Sequence, residues 1–104
     1  MKLIRIHPLM SVYALNIQFI EVVHCSVVVY KNMKPADPHD LLFMAGLQAA
    51  SYIEVPLDLT MSIRDYEEFW EEQHGMLIEL AYGNRIPYGN KSLKLYQLPV
   101  KCSS

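Results

Sequence analysis

The segment Ser62–Tyr82, SIRDYEEFWEEQHGMLIELAY, constrains the fold of this chain more than any other. It combines a helical period with a one-sided charge pattern. Ser62 followed by Asp65 is a capping box in acidic form: the hydroxyl accepts from the third helical N–H, and the carboxylate sits at the positive end of the helix dipole. Ile63, Tyr66, Trp70, Gln73, His74, Leu77 and Ala81 recur at three- and four-residue steps and share one face, while Asp65, Glu68, Glu72 and Glu79 fall opposite. The stripe stays in phase across Gly75, which favours one continuous helix. The competing reading ends the helix at His74, caps it with Gly75 and makes Met76–Tyr82 a strand.

His74 lies on the stripe one turn after Trp70 and two turns after Tyr66. An imidazole there is either a satisfied core histidine or the lining of a cavity. The acidic face reads first as a solvated helix surface, and second as a patch for a protein partner.

With 104 residues the chain is expected to be a single domain, residues 1–104, around one core. Its 52% hydrophobic and 19% charged content places it among folded proteins and not disordered ones. The net charge of −2, without a dominant basic patch, argues against nucleic acid as a partner. Charge is nevertheless segregated. Six of the 11 acids fall between Asp65 and Glu79, whereas Arg85, Lys91, Lys94 and Lys101 are the only charges beyond Asn84. An acidic helix and a basic tail can meet within a molecule or between two copies. Cys25 and Cys102 make no disulfide framework, so a reducing, cytoplasmic location is expected. Arg5, His7 and Pro8 interrupt any signal peptide, and the polar residues within Tyr13–Tyr30 argue against a membrane span.

Taken in order, Lys2–His7 alternates as a short strand stopped by Pro8. Tyr13, Leu15, Ile17 and Phe19 alternate against Ala14, Asn16 and Gln18, and β-branched residues continue to Tyr30. The expectation is one long strand bulged near His24, or a hairpin there without the usual turn residues. Asp37 and Pro38 form a good helix start, predicting a helix to about Tyr52. Ile53–Thr60 alternates as a strand, and Pro56 confines it to an edge or a bulge. Leu93–Leu98 is a last strand, and no internal repeat is evident. The sum is an α+β domain: a four- to five-stranded sheet with two helices on one face. A βαβ unit spans Ile53 to Leu98.

The run Tyr66-x-x-Phe69-Trp70-x-x-x-His74-Gly75-x-Leu77, entered from a strand and followed by a strand containing Tyr96, resembles the EthD family. That family belongs to the ferredoxin-like dimeric α+β barrel proteins. The match covers residues 53–98. In the family this unit opens the domain, so residues 1–50 would supply the other half in permuted order. The resemblance implies a homodimer whose cavity takes a small hydrophobic, often aromatic, molecule. It implies cyclase, dehydratase, decarboxylase or isomerase chemistry with no cofactor. His74 would be the general acid/base, and Tyr66, Trp70, Leu77 and Tyr96 would line the pocket. Proton transfer by a near-neutral imidazole and aromatic walls around an apolar substrate suit that role. The alternative is a non-catalytic interaction module, inhibitor or adaptor using Asp65, Glu68, Glu72 and Glu79. The four histidines are far apart in sequence and suggest no metal site.

Overall fold

The computed structural model describes residues 2–83 and 85–98. Six strands and two α-helices follow in the order β1 (Lys2–Ile6), α1 (Val12–Val23), β2 (Ser26–Lys31), β3 (Lys34–Pro35), β4 (Ile53–Leu57), α2 (Ile63–His74), β5 (Ile78–Tyr82) and β6 (Ile86–Pro87). Short 3-10 turns at Leu42–Ala45 and Leu95–Gln97 follow β3 and β6. β1 pairs antiparallel with β4, and β3-β2-β5-β6 form a four-stranded antiparallel sheet. The chain is thus α+β with two helices, compatible with the ferredoxin-like class. No helix among the described residues is long and apolar enough to cross a membrane. Cys102 and Lys101 lie outside the described residues.

Several local expectations are corrected. Val12–Val23 is a helix and not a strand. Ser11 caps it by accepting the Ala14 N–H at 3.1 Å, and Val12, Leu15, Phe19 and Val23 bury one helical face. The apparent alternation arose because Tyr13 and Ile17 are also apolar, on the other side. The turn that ends the helix falls to His24, which takes a left-handed φ of 65°. Residues 37–52 are not a helix. The Pro38 and Asp40 carbonyls, which a helix would use internally, accept the Tyr13 and Val12 N–H groups at the start of α1. α2 ends at His74, with Gly75 at φ 72° as its cap, and β5 follows. β4 and β5 pair in different sheets, so the expected βαβ unit is absent. Leu95–Gln97 is a 3-10 turn where a strand was expected. Pro56 does sit on an edge strand, since β4 pairs with β1 alone.

The two halves of the chain repeat one plan: strand, helix, hairpin, 3-10 turn. Positions correspond at a spacing of 51 through the helix and the first two strands of each half, of 52 at β3 and β6 after the longer β5–β6 loop, and of 53 at the 3-10 turns. Ser11 and Ser62 are both N-caps. The Val12 N–H donates to Asp40 O at 2.8 Å, and its mate Ile63 donates to Leu93 O at 2.8 Å. Leu42 and Leu95 likewise donate to Met10 O and Met61 O. A pseudo-twofold axis relates the halves, because mates face each other in both central pairings: Ile4 opposite Val55, and Val28 opposite Glu79. Phe19 and Trp70, also mates, meet in the core with ring centroids 5.8 Å apart. The expectation of no repeat failed because identity is sparse. Met-Ser before each helix is shared, with Glu21 and Glu72, Pro35 and Pro87, and Leu42 and Leu95, and the other matches are of pattern alone.

The core consists of Ile4, Ile6, Val55 and Leu57 from one sheet, Val27, Val29, Ile78 and Leu80 from the other, and Leu15, Phe19, Tyr66 and Trp70 from the helices. β3 and β6 close the large sheet with two residues each, one of them proline, so the edges offer little ladder for another strand.

The halves are also pinched together at two glycines. A Cβ on Gly75 would lie 2.9 Å from Gly46 O in addition to needing φ 72°, whereas Gly83, at φ 54°, has nothing within 4 Å. Gly75→Ala should therefore cost about 2–4 kcal/mol in urea unfolding, and Gly83→Ala about 1–2 kcal/mol. Equal costs would show that the close approach contributes nothing.

Candidate functional site

The pseudo-twofold axis generates two related clefts. Each lies where a helix ends on a left-handed residue and the hairpin of the other half passes by. The first, of about 230 Å³, takes Ile20, His24, Cys25 and Ser26 from the first half and Tyr82, Gly83 and Tyr88 from the second. The other, of about 210 Å³, takes Gly75 and Leu77 from the second half and Tyr30 to Asn32 and Met44 to Gly46 from the first. His24 and Gly75, Ser26 and Leu77, Lys31 and Tyr82, and Asn32 and Gly83 are repeat mates.

Their chemistry differs. In the second cleft the Lys31 ammonium is held by Asp40 at 3.1 Å. Among the described residues, the first cleft has no lysine, arginine or carboxylate in its wall. Tyr82 and Tyr88 place their rings 5.0 Å apart at 52°, and Ile20 is 44% exposed beside them. The Ser26 hydroxyl donates to Ala81 O at 3.2 Å. Burial pushes the Cys25 thiol up to about 12, so it is neutral and non-nucleophilic near pH 7. The cup is aromatic and uncharged, with the His24 imidazole at its rim. Sequence reasoning passed over His24 because it expected a strand there. The missing turn signal near His24 was the one available clue.

The residues singled out from the sequence are only partly gathered. Tyr66 and Trp70 are fully buried in the core. Burial raises the Tyr66 phenol to about 12; the Trp70 indole N–H leans toward its hydroxyl and tempers the rise, without hydrogen-bond geometry. The half-buried His74 packs edge-on to Phe69 and Trp70 at 5.7 and 5.4 Å. Its Nε2 is buried without a hydrogen-bond partner among the described residues, and burial holds its pKa below the ordinary 6.5. Leu77 lies in the second cleft. Tyr96 is 64% exposed and its N–H donates to Leu59 O, near the start of α2, whereas His74 is at its far end. A 12-residue helix is roughly 18 Å long, so the two are not neighbours. Neither cleft wall includes Tyr66, Trp70, His74 or Tyr96.

Of the acidic set, Asp65, Glu68 and Glu72 stay exposed on α2, joined by Glu71. Glu79 does not belong to that face, because it lies on β5. Its carboxylate accepts from the Tyr30 hydroxyl at 2.5 Å and pairs with Lys91 at 3.1 Å. Lys91 also reaches Glu67 at 3.0 Å, so part of the basic tail meets part of the acidic segment within the molecule. Glu67 accepts the Leu80 N–H at 2.9 Å, much as its mate Asn16 accepts the Val27 N–H at 2.8 Å. Burial raises the Glu67 pKa, whereas the Tyr30 hydrogen bond lowers that of Glu79. The shared Tyr30 proton in turn raises the Tyr30 phenol to about 12. A broader hollow of about 730 Å³ runs over Lys2 and Pro56 to Leu59 along the edge of the small sheet. Among the described residues no group of three His, Cys, Asp or Glu side chains is placed to hold a metal ion.

No family model matches this chain, and neither a curated protein nor a solved structure matches it.

Two measurements follow from these electrostatics. Because the folded state depresses the His74 pKa, the unfolded chain binds more protons between the folded value and 6.5. Stability should therefore be full above 6.5 and fall as pH drops through the folded value. His74→Leu should flatten that segment of the profile, and a profile unchanged by the substitution would contradict the assignment. Lys91→Met removes the cation shared by Glu67 and Glu79. It should destabilise by about 1–3 kcal/mol and raise both carboxyl pKa values in a carbon-detected NMR titration.

Proposed function

We propose that this protein binds a small, uncharged, largely aromatic molecule in the cleft between the end of α1 and the β5–β6 hairpin. The observation that carries this reading is the wall itself: Ile20, Tyr82 and Tyr88 around a space of about 230 Å³ with no lysine, arginine or carboxylate among its described residues. Benzene fills a dry cavity of roughly 150 Å³, and drug-sized ligands need roughly 300–1,000 Å³. The volume therefore suits a molecule of one or two rings. Stacking on Tyr82 and Tyr88 supplies affinity. The His24 imidazole supplies one polar contact, as donor or acceptor. The resemblance of residues 53–98 to the EthD family supports the same ligand class, although it points to His74 as the polar group. His24 is the imidazole that this cleft presents, and binding is the activity that the reading assigns.

Indole and 2-naphthol titrated into labelled protein should shift the amides of Ile20, Ser26 and Gly83. Tyr82→Ala should weaken binding roughly tenfold, equivalent to about 1.4 kcal/mol of lost contact. His24→Asn, which tolerates the left-handed backbone, should weaken only ligands that carry a hydroxyl or N–H. Shifts centred on Phe69 and Gln73 would transfer the site to His74. Absence of shifts with every probe would sink the reading.

A further inference from the structure

The repeat supplies an internal control for surface chemistry, since a position in one half has a mate at the same place in the fold of the other; Ile17 is half-buried where its mate Glu68 is exposed. On α2 the outermost positions are Arg64, Glu68, Glu71 and Glu72, all exposed. This is ordinary for a helix that faces water. On α1 their mates are Tyr13, Ile17, Ile20 and Glu21. Tyr13 is 59% and Ile20 44% exposed, and Leu9, just before the helix, is 64% exposed where its mate is Thr60. Tyr13, Ile17 and Ile20 follow at four- and three-residue steps, so they form one stripe. Both helices turn an apolar face to the core, Val12, Leu15 and Phe19 in α1 matching Ile63, Tyr66 and Trp70 in α2, with His74 in place of Val23 at the last position. The helices therefore differ most on their outer faces.

We propose that the outer face of α1 is the interface of a homodimer, in which it packs antiparallel against α1 of a second copy across a twofold axis at Ile17. The second copy is favoured by self-complementarity. A twofold contact centred on Ile17 sets each residue four before it against the residue four after it. Tyr13 then opposes Glu21 of the other copy on both sides, a phenol donor against a carboxylate acceptor, while Ile17 meets its own image. Glu21 is the one charged side chain of α1 itself, so pairing the stripe with itself sets no like charges opposite one another. The same contact between two α2 helices would oppose Glu68 to Glu68. A bilayer surface is a poorer occupant, because the stripe is flanked by Glu21 and not by lysines or arginines. Ile20 also borders the ligand cleft, so the interface runs up to that site without using Tyr82 or Tyr88.

The test uses the full chain in sedimentation equilibrium from 1 to 200 μM. The wild type should be dimeric at the upper concentrations. Ile17→Glu, which installs the residue its mate already has, should weaken association at least a hundredfold. Its far-UV circular dichroism should stay unchanged, as should its melting at dilutions where the wild type is monomeric. Glu68→Ala should leave the dimer intact. In a Cys102→Ser background, Ile17→Cys should form a disulfide-linked dimer on mild oxidation, and Glu68→Cys should not. Tyr82→Ala, which disables the ligand cleft, should remain dimeric, so failure of one proposal is distinguishable from failure of the other. A wild type that stays monomeric at 200 μM would overturn the proposal, as would a dimer that survives Ile17→Glu.

Discussion

The contact between Phe19 and Trp70 is the point on which the structure turns. These mates occupy the same place on the two helices and touch near the pseudo-twofold axis, 5.8 Å apart. Tyr66 lies edge-on to Phe19 and to Trp70, so three rings fill the space between the halves. Neither half could bury its helix alone, because each contributes only three short strands and pairs two of them with the other half. The central strand pairings and the aromatic contact are therefore one constraint: the halves fold by completing each other.

That mutual completion also creates the clefts. A helix end in one half meets a hairpin of the other, which leaves a recess twice, once on each side of the axis. Near-equivalent backbones then carry unlike walls. One recess is drawn tight by Gly46 and Gly75 and holds an internally paired lysine, while the other is aromatic and uncharged. The outer faces of the helices diverge in the same manner. Repetition thus provides the scaffold, and departures from repetition mark the places where something other than folding governs the side chains.

Some of this was legible from the residues. Ser62 as a cap, the buried stripe of Ile63, Tyr66 and Trp70, and the edge position of Pro56 follow from local chemistry, and so does the α+β class. α1 was misread because Tyr13, Leu15, Ile17 and Phe19 satisfy a period of two as readily as Val12, Leu15, Phe19 and Val23 satisfy a helical one. The decisive fact was that both sides of α1 are apolar, and no local pattern explains that. Residues 37–52 looked helical through Asp37 and Pro38, yet their carbonyls were needed to cap α1. The acidic set mixed Glu79, which is tied to Tyr30 and Lys91, with residues that face water.

The sequence by itself determined the local events: where chains cap, where prolines bar pairing, and which residues are apolar enough to be buried. These depend on atoms within a few positions of one another. The tertiary structure decided which of two compatible periods is realised, which strands pair, and that His24 borders a cleft while Tyr96 stands far from His74. Those outcomes depend on groups some fifty residues apart, such as Ile4 with Val55 and Phe19 with Trp70, whose meeting no short-range pattern records.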